Sequence, residues 1–165
     1  MKKTIYMMFG SLVLMSFFAC GPTKEDAIKY NDAIITEQRK VVDKENELTG
    51  AIKNNAPNLD QILEGLLKQV EESTAAVTKM EDFDKKSDFK DAALKLFAVY
   101  KDVATIEYKA WLANLKTPIE KVDDKVLAEE TELVKKINEK IDKALGEFTK
   151  AQDDFAAKYK FEIAK

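Results

Sequence analysis

The stretch Thr117–Phe155, TPIEKVDDKVLAEETELVKKINEKIDKALGEFTKAQDDF, decides the fold. Leu127, Val134, Ile141, Phe148 and Phe155 recur every seven residues, with Ile137, Ala144 and Ala151 interleaved. Apolar residues at that spacing line one face of a helix. Thr117-Pro118-Ile119-Glu120 reads as a capping box with proline at the first helical position, so the pattern predicts a helix beginning there.

Working outward, three more segments carry the same period. Ser87–Leu115 places Phe89, Leu96, Val103 and Ala110 in one row, and Ala92, Val99, Ile106 and Ala113 in a second. Asn58–Asp82 carries Leu59, Ile62, Leu63, Leu66, Val70, Val77 and Met80, with Asn58 as the expected N-cap and Gln61 at the capping-box position. Lys24–Lys53 carries Ile28, Ile35 and Val42 beside Ile34, Val41 and Leu48. Breaks fall near Asn54–Asn58, Glu81–Ser87 and Lys116–Pro118. Four amphipathic segments joined by short connections predict an all-α, antiparallel up-down four-helix bundle with long helices. The alternative is a three-helix core with one long helix appended. With Gly 5 and Pro 3 in 165 residues, the chain has few places to turn, which disfavours an all-β fold.

Composition excludes several chemistries. There is no histidine and a single cysteine, so a His-paired nucleophile, a Cys/His zinc site and an intramolecular disulfide cannot be built from this chain. A carboxylate-bridged di-metal site of the Glu-x-x-His kind is disfavoured for the same reason. Lys+Arg 27 against Asp+Glu 30 gives a net charge of −3 with both signs interspersed, so no nucleic-acid partner is expected. The adjacent acids Asp123/Asp124, Glu129/Glu130 and Asp153/Asp154 point about 100° apart on a helix and read as solvated surface. No cofactor, no metal and no enzymatic activity are expected.

The amino-terminal segment carries a different signal. Met1-Lys2-Lys3 precedes an almost wholly apolar run from Thr4 to Phe18, followed by Ala19 and Cys20. A positive start, a short apolar core and a small residue before the cut describe a secretory signal peptide. Ala19-Cys20 at its end resembles the lipobox of bacterial lipoproteins, although Phe17 stands where that pattern prefers leucine. The resemblance implies a signal peptide over residues 1–19, a helical bundle domain over 20–165, and membrane lipid engaged through an acylated Cys20. Several acyl chains, each contributing about 0.8 kcal/mol per buried CH₂, would anchor the chain stably. Gly21 in place of aspartate implies transfer to the outer membrane by the enteric sorting rule. Lys24-Glu25-Asp26 resembles the export signal of surface lipoproteins in the Bacteroidota and implies display outside the cell, a periplasm-facing location being the alternative. The same residues also suit the first turn of a helix capped by Thr23.

Two further groups stand out. Asn31, Gln38 and Glu45 lie seven apart, between the two apolar rows of the first helix. Buried without partners, each would cost about 1–3 kcal/mol, so partners are expected among Glu107, Asn114, Asn138 and Gln152. These residues form either a register-fixing hydrogen-bond network or a polar pocket for a small molecule. The aromatics Phe97, Tyr100, Tyr108 and Trp111 all fall on the third helix. They are read as extra core width, or as an exposed strip that docks a protein or surface partner.

Together, Cys20-Gly21, AIKYNDAIITEQRKV (Ala27–Val41) and DFKDAALKLFAVYKDV (Asp88–Val103) resemble an uncharacterised family of small helical surface lipoproteins, first described in leptospires and widespread in Bacteroidota. The resemblance covers about half of the mature chain and implies a location, not an activity.

Overall fold

A computed structural model describes residues 21–163. The signal-like segment and the expected lipidation site Cys20 lie outside the described residues. The chain forms α1 (Lys24–Lys53), α2 (Leu59–Thr78), α3 (Asp88–Val103), a π-helical turn (Ala104–Tyr108) running directly into α4 (Lys109–Leu115), a 3₁₀ turn (Ile119–Lys121) and α5 (Asp124–Tyr159). With α3, the π turn and α4 forming one continuous rod, the arrangement is an antiparallel four-helix bundle. The rod packs on both α2 and α5, α1 packs mainly on α2, and α1 meets α5 less extensively.

Local chemistry sets where the helices start. Thr23 is extended (φ −80°, ψ 169°) and forms a complete capping box. Its Oγ1 accepts from the Asp26 N–H at 3.2 Å, and the Thr23 N–H donates to Asp26 Oδ2 at 3.0 Å. The Thr23 N–H, together with the Thr23 hydroxyl that donates to Asp26 Oδ2 at 2.8 Å, holds the Asp26 carboxyl below the usual range. Asn58 sits before α2 but makes no side-chain cap, because its backbone (φ −110°, ψ 33°) is not the extended conformation of a side-chain-bonded N-cap. The box expected at Thr117–Glu120 does not form either. The Thr117 N–H is bonded back to the Asn114 carbonyl (2.9 Å), closing the end of α4. Asp123, extended at φ −114° and ψ 177°, caps α5 instead. Its Oδ1 accepts from the Lys125 and Val126 N–H groups, both at 3.0 Å.

The core runs along the bundle axis. Ile34, Val41 and Leu48 of α1 meet Leu63, Leu66, Val70 and Val77 of α2. Opposite them lie Phe89, Leu96, Phe97, Tyr100 and Val103 of α3, with Ile137, Ile141 and Phe148 of α5. Full burial of such side chains contributes about 1.5–3 kcal/mol each. Two parts of the expected pattern fail. After Val103 the buried residues are Ala104, Glu107, Tyr108 and Leu112, while Ile106, Ala110 and Ala113 are exposed. The π turn takes up one additional residue, so the seven-residue phase slips there. Leu127 is 53% exposed. At 1.5 Å per residue α5 is about 54 Å long against about 45 Å for α1, and its first turns overhang the core.

Candidate functional site

The sequence-predicted residues do not converge on one site. Lys24, Glu25 and Asp26 form the exposed first turn of α1. Asn31 is buried, and its Oδ1 accepts from Gln152 Nε2 of α5 at 2.9 Å. Gln38 is half-buried farther up α1. Glu45 accepts from the Tyr108 hydroxyl at 2.8 Å. Fourteen residues separate Asn31 from Glu45, about 21 Å along the helix, so the three polar side chains are met at separate levels rather than around a shared pocket. Of the other expected partners, Asn114 is half-buried and Asn138 is exposed.

Glu107 is 4% exposed and projects from the π turn. Its Oε1 accepts from Lys140 Nζ at 2.8 Å, and Lys140 also reaches Asp102 at 2.6 Å. These hydrogen bonds, Asp102 first, raise the Lys140 pKa. Oε2 of Glu107 is buried without a partner among the described residues. Phe97, Tyr100 and Tyr108 are core residues, at most 2% exposed, so they offer no docking strip. Only Trp111 is half-buried, stacked on Tyr108 at 6.1 Å. The cause is geometric: the rod is flanked by both α2 and α5, so its apolar face is wider than one stripe.

The best-formed cleft lies elsewhere, at the end of the bundle where α1 begins and α5 finishes. It is built by the α2–α3 connection, which the sequence pattern marks only as a break. Within it, Phe83-Asp84-Lys85-Lys86 makes a tight turn in which the Lys86 N–H donates to the Phe83 carbonyl at 3.0 Å. Asp84 (φ 54°) and Lys85 (φ 59°) are both left-handed, as the primed hairpin turns require. For a residue such as lysine this costs about 1 kcal/mol or more. Contacts to the helices hold the turn in place. The Asp84 carboxylate accepts from Lys158 Nζ (3.0 Å) and the Tyr159 hydroxyl (3.1 Å) of α5. These two groups hold the Asp84 carboxyl below its usual range. Lys90 of α3 donates to the Met80 carbonyl and pairs with Asp82.

Phe83 and Lys86 are bridged antiparallel partners, and directly opposed residues put their side chains on one face. Phe83 thereby joins an aromatic cluster. Its ring lies 5.0 Å from Tyr30, 5.3 Å from Phe155 and 5.0 Å from Tyr159. Phe89 stacks on Phe155 at 5.2 Å. These separations are those of favourable aromatic pairs. The rings floor a half-open cleft of about 370 Å³. Its rim is charged, with Lys86, Asp88, Lys90, Asp154 and Lys158 among the lining residues. The Tyr30 hydroxyl is buried; the Phe83 N–H is directed at it without reaching full hydrogen-bond geometry. Burial pushes its pKa up to about 12; Asp82 and Asp91 add to the rise and the Phe83 N–H opposes it.

Comparison of the chain with protein-family models, curated proteins and solved structures finds no match.

The cleft must therefore be read from its own chemistry. It offers an apolar, planar floor with polar groups at the edge, the usual composition of a small-molecule site. The sequence held one clue to it: Tyr30, Phe83, Phe89, Phe155, Tyr159 and Phe161 are aromatic residues that an up-down topology brings to a single end.

Proposed function

We propose that this chain is a non-enzymatic lipoprotein of the outer membrane, anchored through acyl chains on Cys20 and displayed outward, whose bundle engages a partner protein or surface component. The observation that carries this reading is the capping box at Thr23. It fixes the start of the fold three residues after Cys20, leaving Gly21-Pro22-Thr23 as the tether. At about 3.3–3.6 Å per residue such a tether spans about 10 Å, so the base of the bundle would rest close to the lipid headgroups. The family resemblance carried by Cys20-Gly21, Ala27–Val41 and Asp88–Val103 supports the same location. Among the described residues no helix is long and apolar enough to cross a membrane.

The far end suits a partner. Leu115, Ile119, Val122 and Leu127 are exposed, Ile119 at 85%, and all four sit on the α4–α5 connection or its adjoining turns. That end is opposite Thr23 in the up-down topology, and an anchored bundle would present it first to an approaching protein. Exposed apolar residues gathered in one place mark interaction surfaces.

Fractionation of cells tests the anchor. Wild-type chain is expected in the membrane fraction and a Cys20→Ala variant outside it; a variant retained in the membrane fraction overturns the anchor. Protease added to intact cells tests display. Digestion of the bundle is expected, and protection until the outer membrane is opened would assign it to the periplasmic side.

A further inference from the structure

We propose that the cleft at the base of the bundle is a binding site for a free aromatic α-amino acid. The proposal is independent of the anchor and rests on three features of the cleft. The first is its floor. Tyr30, Phe83, Phe155 and Tyr159 present clustered rings beside about 370 Å³ of accessible space. That volume is at the lower end of small-molecule sites, and the rings favour another ring over an aliphatic chain by stacking and edge contacts.

The second feature is the uncommitted charge. Around the rim, Lys90 is paired with Asp82, Lys158 with Asp84, and Asp154 with Lys150. Lys86 and Asp88 make no ion pair among the described residues, and both are exposed. One free cation and one free anion, two residues apart, suit a ligand carrying both a carboxylate and an ammonium group. A simple aromatic acid would leave Asp88 opposed to its charge, and an aromatic amine would do the same with Lys86.

The third feature is the unsatisfied polarity. No side chain caps the first amides of α3, which begins at Asp88 on the cleft rim. Amides at a helix start have no acceptor within the helix, and a ligand carboxylate is an acceptor with spare lone pairs. The left-handed turn at Asp84-Lys85 fits the same picture, since backbone strain held in place by surrounding contacts is characteristic of ligand clamps. It is this turn that projects Phe83 and Lys86 together onto the cleft.

Isothermal titration of the full-length chain in detergent with L-phenylalanine tests the proposal, with L-leucine, 3-phenylpropionate and phenethylamine as probes lacking one feature each. Saturable binding of L-phenylalanine is expected, with each of the other three weaker by at least about tenfold, the size of one lost charge-assisted or aromatic contact. Lys86→Glu and Asp88→Lys, both at exposed positions, are each expected to weaken L-phenylalanine by a similar factor while leaving the helical circular dichroism unchanged. Absence of saturable binding overturns the proposal. So does binding that is indifferent to both rim variants, or binding of 3-phenylpropionate as tight as that of L-phenylalanine. None of these outcomes bears on Cys20, so the proposal and the anchor reading fail separately.

Discussion

At Asn31 a buried amide faces another buried amide across the α1–α5 contact, Gln152 donating to it at 2.9 Å. The pair adds little net stability while intact, because both groups give up water to meet. Removing one partner is different. Asn31→Leu or Gln152→Leu alone would strand the other amide and is expected to lower unfolding free energy by about 1–3 kcal/mol. The double variant Asn31→Leu/Gln152→Leu is expected to be close to wild type, since replacing both partners with apolar groups leaves no orphan. Urea denaturation of wild type, the two leucine single variants and the double variant would show this; a loss in the double variant equal to the sum of the single losses would mean that the pair is not acting as a unit. A second residue-scale effect lies at Gly146, exposed within α5, where an added Cβ meets nothing within 4 Å. Gly146→Ala removes unfolded-state freedom without strain and is expected to stabilise by about 0.5–1 kcal/mol, read as a higher urea midpoint at unchanged slope.

At the scale of elements, the π turn explains most of what the sequence pattern misplaces. The heptad phase of the third segment is legible through Val103, then fails at Ile106, Ala110 and Ala113, because a one-residue insertion leaves no mark in composition. One physical trace of it exists. Thr105 turns its hydroxyl back onto the Lys101 and Asp102 carbonyls, at 2.8 and 3.0 Å, a contact that disturbs regular helix geometry. If the turn is an inserted residue within an otherwise continuous rod, deleting exposed Thr105 should restore an α-helix and keep Tyr108 and Leu112 in the core. The ΔThr105 chain is expected to retain full helical circular dichroism and a cooperative thermal transition. Deleting Lys95, equally exposed but within regular α3, would rotate everything beyond it by about 100° and is expected to abolish the transition. Comparable melts for the two deletions would show that the turn is not an insertion. Helix starts follow the same lesson. Thr23–Asp26 is legible because the cap is complete in the sequence, whereas the choice of Asp123 over Thr117 depends on how α4 closes.

At the scale of the whole molecule, periodicity suffices for the bundle, but the cleft stays hidden because its parts are far apart in sequence. Tyr30, Phe83 and Phe155 belong to three different elements, and each reads alone as core or loop. What joins them is topology plus one strained turn. The same topology makes stability uneven along the bundle. Between Asp124 and Lys136 no residue of α5 is buried, and burial begins at Ile137. The early turns are supported by exposed i,i+4 pairs such as Lys125–Glu129 and Lys136–Glu132, each at 3.9 Å. Pairs of that kind contribute about 0.3–0.5 kcal/mol each. Opening these turns exposes little apolar surface, so it should be nearly free, whereas exposing Ile141 and Phe148 requires breaking the core. Native-state hydrogen exchange is therefore expected to divide α5, with amides of residues 128–136 exchanging faster than those of 141–152 by about two orders of magnitude or more. Uniform protection along α5 would mean that its overhanging end is covered in solution. The apolar group at Leu115, Ile119, Val122 and Leu127 would then already be occupied, and a partner could reach it only by displacing whatever covers it.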